Sequence, residues 1–422
     1  MDANFAVKEL QKMEYKSTRE KNRDGISGKI RVVRCIQEKG PINRSAIARE
    51  VHLSIPAVMT ITEELLRHGV VTTVGKSGSG VGKHPEMYDM CGEHFRCIGV
   101  DIGRTMERIV ITGLDGSVLI QDAVPTEYIN QPRQFVDRLC QIICRTVEQS
   151  RVAPETIVGV CVAMPGLIEV GTGRVVFSPN FGWKDIPLQQ WLLERLPYQV
   201  IVENANRAQA FWEIRPGRGN QNLTVFCAGL GFGIGAALIR QGELDYGASG
   251  TSGEFGHITV SPRSNRRCSC GNTGCLESIA SGAALAELGR ELVSAGRAPV
   301  LQELCHGALD RIDAKLVFEA AHRGEETCAM LVEQAAKYIG IALAAAINLL
   351  DPDEIYLCGG LMKNGDDFFD LIKHHIKKRQ MQFAGRHVVI CASTQDDWHV
   401  AKGAALMILD KGYRFRALSF LY

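Results

Sequence analysis

The sequence predicts a mixed α/β protein of two or three domains. Its 422 residues exceed the length at which a single hydrophobic core usually stops growing. Residues 29–88 predict three helices followed by a β-hairpin, and from Phe95 onward predicted strands alternate with glycine-rich turns and helices. Hydrophobic residues make up 45% and charged residues 23% of the chain, which is typical of a soluble globular protein.

The composition argues against a membrane or secreted protein. No uninterrupted apolar run approaches the ~20 residues that a membrane helix needs, and the polar start MDANFAVKELQK lacks an apolar signal core. Eleven of the fourteen cysteines lie scattered in apolar or helical contexts, such as Cys35, Cys161, Cys227 and Cys358, and we expect them to be reduced and buried. We therefore expect a cytoplasmic protein with no membrane contact.

Residues 1–90 are mildly basic. They hold fifteen Lys or Arg against eleven Asp or Glu, whereas the rest of the chain holds 33 against 36. A basic segment on an acidic body is compatible with nucleic-acid binding, although an excess of four charges is a weak indication by itself. The helical pattern of the same residues is a stronger one.

Residues 29–88 have the pattern of a winged helix-turn-helix domain. KIRVVRCIQEKG repeats apolar residues at helical spacing, Asn43 can cap a short second helix, and Ser54 can cap a third helix that ends at Gly69. The segment VVTTVGKSGSGVGKHPEMYDM then reads as two strands around a glycine-rich tip. Such a domain places its third helix in the major groove of DNA. A small helical packing module is the alternative.

The predicted DNA contacts come from the front of the third helix and from basic side chains around it. Small and apolar groups would read bases at short range, for instance at a thymine methyl group, and basic groups would hold phosphates. The predicted residues are Ser54, Ile55, Ala57 and Thr60 for the bases and Arg44, Lys76, Lys83 and His84 for the phosphates. The lack of Arg or Lys at the front of the third helix weakens the prediction of DNA binding.

A second domain begins near Phe95. The segment RCIGVDIGRTMERIVITGLDGSVLIQDAVP reads as strand, turn, strand, hairpin turn and strand. Its first turn, Asp101-Ile-Gly103-Arg-Thr105, resembles the loop that brings backbone amides and a hydroxyl to a nucleotide phosphate in actin-like ATPase folds. A plain hairpin is the alternative for so short a motif.

Later segments extend this resemblance into an ordered series. GVCVAMPGLIEVGTGRVVFSPNFGWKDIPL, VIVENANRAQAFWE, CAGLGFGIGAALIRQGELDYGASGTSGEFGHI and INLLDPDEIYLCGGL follow in turn. Before the last of these, Glu254-x-x-His257 is followed after ten residues by Cys268-x-Cys270-Gly-x-x-Gly-Cys275-x-Glu277. From about residue 20 to residue 410, the chain resembles the ROK family of sugar kinases and sugar-responsive repressors.

The resemblance implies an N-terminal winged helix-turn-helix followed by a two-lobed actin-like (ribonuclease H-like) ATPase-fold sugar domain. We expect the DNA-binding domain at residues 1–90, the first lobe at 91–215, the second lobe with its zinc loop at 216–410, and a C-terminal tail at 411–422. Family members that carry a helix-turn-helix resemble transcriptional regulators, which implies operator DNA as a partner. Binding to symmetric half-sites implies a homodimer or homotetramer.

The cysteine motif predicts a structural zinc site. The thiolates of Cys268, Cys270 and Cys275 and the imidazole of His257 make a closed tetrahedral set with no position open for water. Two glycines between the second and third cysteines let the chain bend tightly. We expect one Zn²⁺ per chain, whose binding stabilises the loop. Reduced cysteines without a metal are the alternative.

The same motif supplies candidate sugar ligands. Carboxylates accept short, strong hydrogen bonds from vicinal hydroxyls, and Glu254 and Glu277 flank the cysteine loop. The resemblance implies that His257 offers its second ring nitrogen to the sugar, and it adds three residues to the site. These are Gly166, Asn180 and Asn204. Capping of a turn is the alternative role for Asn180.

A sugar kinase needs a carboxylate that takes the proton from the attacking hydroxyl. In the family this group is the Asp of an END triplet, but here the segment reads VENANRAQAFWE. Ala205 stands at the Asp position in an alignment without gaps, and a shift by one residue places Asn204 there. Arg104 and Leu230 also depart from the phosphate loops of the family. We therefore expect neither ATP binding nor kinase activity.

The sequence thus predicts a DNA-binding transcriptional repressor controlled by a sugar or phosphosugar in a catalytically inactive ROK domain. Two alternatives from other classes stay open. A sugar kinase with an accessory DNA-binding domain would consume ATP in the presence of its sugar. A regulator that docks to a transport protein or an enzyme would bind no operator, and the poorly basic third helix favours this second alternative.

Overall fold

The computed structural model describes residues 27–76, 85–215, 223–382, 387–393, 396–412 and 416–421. Within the described part of the N-terminal domain, three helices and the two strands of the hairpin follow in the predicted order, and a short strand that was not predicted lies between the first two helices. They are α1 (Gly28–Lys39), β1 (Ile42–Asn43), α2 (Arg44–Glu50), α3 (Ile55–Arg67), β2 (Val71–Lys76) and β3 (Glu86–Met90). The strands pair antiparallel in the order β1-β3-β2, and the domain is the predicted winged helix-turn-helix.

Side-chain caps start the second and third helices. The Asn43 Oδ1 accepts a hydrogen bond from the Ala46 amide at 3.0 Å, and the Ser54 Oγ accepts one from the Ala57 amide at 3.4 Å. These bonds satisfy amides that have no partner within the helix. Both caps agree with the sequence prediction, and they fix where the recognition helix α3 begins.

The first lobe is built on strands and a long helix. As far as the chain is described, its strands are β4 (Arg96–Ile102), β5 (Met106–Gly113), β6 (Val118–Pro125), β7 (Ile157–Met164), β8 (Leu167–Ile168), β9 (Val175–Ser178), β10 (Trp183–Ile186) and β11 (Val200–Asn204). Five of them form a sheet in the order β11-β7-β4-β5-β6, in which β4, β5 and β6 pair antiparallel and β7 and β11 parallel. Strands β8 to β10 form a small antiparallel sheet beside it.

Three helices accompany these strands. They are α4 (Pro132–Ser150), α5 (Leu188–Leu193) and α6 (Ala205–Glu213). Helix α4 buries Phe135, Leu139 and Ile143 in one apolar core with residues of β4 and β7. Helix α6 starts directly after β11, so Asn204 ends a buried strand and caps a helix at once.

The second lobe repeats the sheet-and-helix architecture. Its described strands are β12 (Thr224–Leu230), β13 (Ile234–Arg240), β14 (Glu243–Leu244), β15 (Glu354–Cys358) and β16 (Val389–Ala392), in the order β14-β13-β12-β15-β16. Its helices are α7 (Leu276–Ala280), α8 (Gly282–Ser294), α9 (Pro299–Leu304), α10 (Ala314–His322), α11 (Glu326–Leu350) and α12 (Asp366–Lys377). The two lobes and their sheets are the predicted actin-like fold.

Helix α11 has the length and apolar composition of a membrane-spanning helix. Half of its most apolar window is buried inside the protein, and it is the one such helix in the part of the chain that the structure describes. Its residues Ile339, Leu343 and Ile347 lie in the apolar core of the second lobe. A core helix has the same length and composition, and α11 packs as one.

The last helix, α13 (His399–Gly412), returns to the first lobe. It packs against β4 so closely that a Cβ atom on Gly99 would lie 1.9 Å from the Ala401 carbonyl oxygen, so only glycine fits there. The sequence-based boundary groups residues up to 410 with the second lobe, whereas this helix lies on the sheet of the first. The tail that follows it, Arg416–Leu421, reaches the N-terminal domain, where the Ser27 Oγ donates to the Leu421 carbonyl at 2.8 Å.

Candidate functional site

Three thiols and one imidazole converge in the loop between β14 and α7. The ligand atoms of His257, Cys268, Cys270 and Cys275 all lie within 4.8 Å of one another. The Sγ atoms of Cys270 and Cys275 are 3.7 Å apart, and the Cys268 Sγ is 3.4 Å from the His257 Nδ1. A tetrahedral zinc ion with Zn–S bonds of ~2.3 Å and Zn–N bonds of ~2.0 Å requires edges of about 3.8 Å and 3.5 Å. The donor set therefore fits such an ion.

The chemistry of the thiols agrees with a cation at this point. Burial raises the pKa of the Cys275 thiol to about 12 and raises the pKa of Cys268, whereas the pKa of Cys270 is lowered because its desolvation is outweighed by hydrogen bonds from the Asn272 backbone and the two other cysteines. Thiols with a raised pKa stay protonated at neutral pH unless a cation lies against them, and a divalent metal deprotonates a coordinating thiol. A metal is thus the group that would stabilise three thiolates in one small volume.

The second ring nitrogen of His257 lies near one of the two predicted glutamates. Its Nε2 lies 3.5 Å from the Glu254 Oε2. Burial raises the pKa of the Glu254 carboxyl, while the nearby His257 and Arg207 lower it and Glu277 raises it further. The predicted pair of glutamates therefore lies close together beside the cysteine loop.

Glu277 and Asn180 line a cavity of about 350 Å³ between the cysteine loop and the first lobe. The Glu277 Oε2 accepts a hydrogen bond from the Ile234 amide at 2.9 Å. A Cβ atom on Gly233 would lie 2.6 Å from the same oxygen, so the glycine in the GLGFG segment makes room for this carboxylate. One of the two predicted amide residues and one of the two predicted glutamates thus share a cavity with the cysteine loop.

The remaining predicted sugar residues lie outside the lining of that cavity. Asn204 donates from Nδ2 to the Gly166 carbonyl at 2.8 Å, and its Oδ1 accepts the amides of Asn206 and Arg207 at 2.8 and 3.3 Å. Both ends of the Asn204 amide are therefore engaged by backbone. In this arrangement Asn204 ties the turn after β7 to the start of α6.

A buried ion pair behind the site was missed at the sequence level. The Arg207 Nη1 lies 3.1 Å from the Glu203 Oε1, and both side chains are almost fully buried. The Tyr246 hydroxyl donates to the Glu203 Oε2 at 2.8 Å, and the Arg207 Nη2 donates to the Gly250 carbonyl at 2.6 Å. These bonds join the first lobe to the loop that leads to Glu254. Glu203 lies on strand β11 and Arg207 on helix α6, so no helical i, i+4 pattern signals this pair in the sequence.

A chain of charged side chains lines a second cavity, which begins at Asp101 of the first phosphate-loop motif. Arg108 is 3.8 Å from the Asp101 carboxylate and 3.5 Å from that of Asp397, and Asp397 also pairs with Lys363. The cavity that remains around them measures about 220 Å³. The first residue of α6 is Ala205, the position that the alignment without gaps assigns to the Asp of the END triplet.

Arg104 contacts two residues that line the cavity beside the cysteine loop. Its Nη1 donates to the Asn180 carbonyl at 2.6 Å, and its guanidinium lies 5.1 Å from the centre of the Phe232 ring. Arg104 belongs to the first phosphate-loop motif and Phe232 to the second. The two loops thus contact each other through side chains.

The recognition helix presents a surface that is largely apolar. Ser54, Ile55 and Thr60 are exposed and Ala57 is half-buried, and Met59, which was missed, is 44% exposed beside them. Arg44 lies back in the domain, because its Nε donates to the Thr62 Oγ1 at 2.9 Å and its guanidinium lies 5.1 Å from the Tyr88 ring centre. The Lys76 side chain, Lys83 and His84 lie outside the described residues.

Comparisons with known proteins agree with both domains. Residues 97–411 match the ROK family, and residues 29–72 match a winged helix-turn-helix DNA-binding domain. The chain is 26% identical over 381 residues to the xylose repressor of Caldicellulosiruptor bescii, and the match covers 90% of this chain and 95% of the repressor. It is 34% identical over 283 residues to a glucokinase of Streptomyces coelicolor, with 67% of this chain and 87% of the kinase covered.

Among solved structures, the chain is similar to a ROK family transcriptional regulator described as a homologue of the Escherichia coli MLC protein. The TM-score is 0.76 at 25% sequence identity, and the match covers 93% of this chain and 98% of that one.

Proposed function

Because the chain belongs to the ROK family, we propose that it is a DNA-binding transcriptional repressor whose ROK domain senses a sugar. One observation carries this proposal. A winged helix-turn-helix precedes a ROK domain in a single chain, and the similarity to the xylose repressor and to the MLC-like regulator spans both domains. The similarity to the glucokinase of Streptomyces coelicolor, by contrast, covers only 67% of the chain.

The site residues support sugar binding in the cleft. Glu254 and Glu277 offer carboxylate oxygens to ring hydroxyls, and the half-buried Asn180 offers an amide that donates and accepts. The two carboxylates near His257 supply several hydrogen-bond acceptors to the cleft, and a ligand with many hydroxyl donors matches them. Asn204 and Gly166 would shape the floor of the site through their mutual hydrogen bond.

A zinc ion held by His257, Cys268, Cys270 and Cys275 would supply structural stabilisation to the loop that carries these groups. His257 would bind the zinc ion through Nδ1, and its Nε2 would be left to contact Glu254 and the sugar. Loosening of the loop would then displace Glu254 and Glu277 together.

We infer further that the protein transfers no phosphoryl group. Ala205 offers no acceptor for the proton of a sugar hydroxyl, and the Asp101, Arg108, Asp397 and Lys363 chain neutralises charges that a nucleotide and its metal would need. The glucokinase similarity favours kinase activity as the second candidate function. Sugar-dependent ADP formation by wild type would establish that candidate. ADP formation by Ala205→Asp but not by wild type would instead support a decayed, inactive kinase site.

The assembly and location follow from the proposed function. We propose a homodimer or homotetramer that places two recognition helices on half-sites about one helical turn, or a multiple of it, apart. We place the protein in the cytoplasm, where operator DNA lies. We assign DNA binding to residues 1–90, the first lobe to 91–215 together with helix α13, the second lobe to 216–398, and the tail to the residues after α13. A transport protein remains a further candidate partner.

Sugar binding would act through the two lobes. A ligand that contacts both lobes favours one degree of closure, and it shifts the DNA-binding equilibrium only by its differential affinity for the two states. A difference of about 1.4 kcal/mol changes operator affinity tenfold. The sugar must therefore bind the DNA-incompetent state more tightly.

Operator binding tests the proposal. Fluorescence anisotropy would compare labelled DNA from the protein's own promoter region with a shuffled sequence of the same composition, at one stated salt concentration. We expect the promoter DNA to bind about a thousandfold or more tighter than the shuffled DNA. Equal affinity for the two DNAs would contradict the proposal and favour a regulator that docks to a protein.

A further inference from the structure

The cavity beside the cysteine loop is lined by an arginine side chain, Arg267, that the binding of a neutral sugar does not require. Its lining includes Asn180 and Glu277 from the proposed sugar site, and it extends along the loop to Arg266, Arg267 and Ser269. Its volume of about 350 Å³ lies at the small end of the ligand-binding range. The same cavity is therefore lined both by side chains that can bind sugar hydroxyls and by two neighbouring arginines.

The two arginines have different partners. The Arg266 Nη2 lies 2.7 Å from each carboxylate oxygen of Glu291, and its Nη1 lies 3.3 Å from Glu287. Glu287 also lines the cavity, and the single positive charge of Arg266 is therefore shared between two carboxylates and is not available to a ligand. Arg267 has no ion pair and no side-chain hydrogen bond with any residue that the structure describes, although its backbone is fixed by a bridge to Thr273.

Glu277 does not neutralise Arg267. One of its carboxylate oxygens is taken by the Ile234 amide, and no contact joins it to Arg267 within the described chain. The start of α8 also lines the cavity at Ala283 and Ala284. Its first amides are bonded to the carbonyls of Gly231 and Phe232, so α8 contributes the positive end of a helix but no free donor. Arg267 is thus the donor that is left for an anionic group.

We propose that the effector is a sugar that carries a carboxylate or a phosphate, and that Arg267 binds this group. The inference rests on the proposed function as a sugar sensor and names the class of sugar. Ring hydroxyls lie against Asn180 and Glu277, and the anionic substituent extends along the loop to the guanidinium. A planar guanidinium binds either anion through two parallel hydrogen bonds. Arg267 is then a specificity-determining residue, next to the metal ligand Cys268.

Calorimetric titration of the zinc-loaded full-length protein tests this assignment. The ligands are matched sets built on glucose, xylose and N-acetylglucosamine, each with the neutral sugar and its phosphates, together with glucuronate as the carboxylate. The proteins are wild type, Arg267→Ala and Arg263→Ala. Arg263 is an exposed arginine of the same loop that does not line the cavity, so it controls for the loss of one positive charge.

We expect one anionic sugar to bind wild type and Arg263→Ala roughly tenfold or more tighter than its neutral parent, and Arg267→Ala to lose that preference. Phosphates and the uronate separate the two anion types. Equal affinities for neutral and anionic sugars, or an Arg267→Ala defect that is the same for both, would overturn the inference and leave sugar sensing intact. Binding of no sugar at all would overturn the sensor proposal, and this inference with it.

Discussion

Phe420, near the end of the chain, stacks on His68 at the end of the recognition helix, with ring centroids 4.0 Å apart. Lys29 strengthens this contact, because its Nζ donates to Glu64 at 2.7 Å and to the Phe420 carbonyl at 2.8 Å. The tail follows α13, which packs on the sheet of the first lobe. Movement of the lobes therefore has a direct structural route to the DNA-binding domain.

Replacement of Phe420 tests this route. An aromatic stack contributes about 0.5–1.5 kcal/mol beyond its buried area, so Phe420→Ala should loosen the docking of the DNA-binding domain. We expect faster hydrogen exchange in residues 28–39 and 55–67, with unchanged exchange in the strands of both lobes. The control is Phe177→Ala, an exposed aromatic on β9 that should leave all these rates unchanged. Unchanged exchange in Phe420→Ala would show that the tail does not hold the domain.

Met59 should contribute to base recognition. It is 44% exposed on the front of α3, where an apolar side chain can contact a thymine methyl group. Met59→Ala should weaken binding to promoter DNA by roughly 1 kcal/mol and leave the affinity for shuffled DNA and the salt dependence unchanged. Met330→Ala, which truncates a 65% exposed methionine in the second lobe, is the control. An equal loss of affinity for promoter and shuffled DNA would show that Met59 does not contribute to base recognition.

The buried Asp101 should make stability depend on pH. Burial raises its pKa to about 7, against the opposing effect of Arg108. The folded protein then binds this proton more tightly than the unfolded chain, whose pKa is ~3.9, so Asp101 lowers stability progressively as pH rises from about 4 to about 7. Asp101→Asn removes this titration. The variant should gain roughly 2–4 kcal/mol relative to wild type across that window, with no further gain above it.

Thermal unfolding midpoints between about pH 5 and pH 8.5 would measure the difference between the two proteins. Glu107, whose pKa burial also raises to about 7, titrates in both and cancels in the comparison. A difference that is the same at both ends of the range would contradict the assignment to Asp101.

Loss of one cysteine ligand should release the metal. Cys270→Ser should reduce bound zinc from one ion per chain to none, because a hydroxyl is a poor replacement for a thiolate. Amides of residues 254–277 should then exchange faster, and wild type should lose zinc as pH falls because its ligands become protonated. Cys144→Ser, at a half-buried cysteine on α4, should retain the ion. Equal zinc contents in the two variants would rule out the Cys3His site.

Local chemistry made part of the structure predictable. The caps at Asn43 and Ser54 depend on neighbours three residues away, so the sequence contains the whole interaction. The cysteine spacing likewise predicts a cluster, because two turns in one loop are enough to bring Cys268, Cys270 and Cys275 together. Both features were predicted at the right residues for this reason.

Contacts between distant segments were not predictable in the same way. Phe420 and His68, or Arg108 and Asp397, meet only because α13 returns to the first lobe, and no periodicity in the sequence signals that return. The orientation of Arg44 towards Thr62 and Tyr88 also depends on packing within the domain. Whether a basic residue near a recognition helix can contact a phosphate therefore depends on where its side chain points in the folded domain, and the sequence alone does not give that direction.

Control of operator binding by a sugar is the central claim, and one titration tests it most directly. Labelled promoter DNA would be titrated with wild type and with Glu277→Gln, whose amide oxygen can still accept the Ile234 amide, in the absence and presence of each neutral and anionic sugar. We predict that one sugar lowers the operator affinity of wild type about tenfold or more, and that Glu277→Gln binds the operator normally but needs roughly tenfold more sugar for release. Binding curves that superimpose with every sugar would contradict the account.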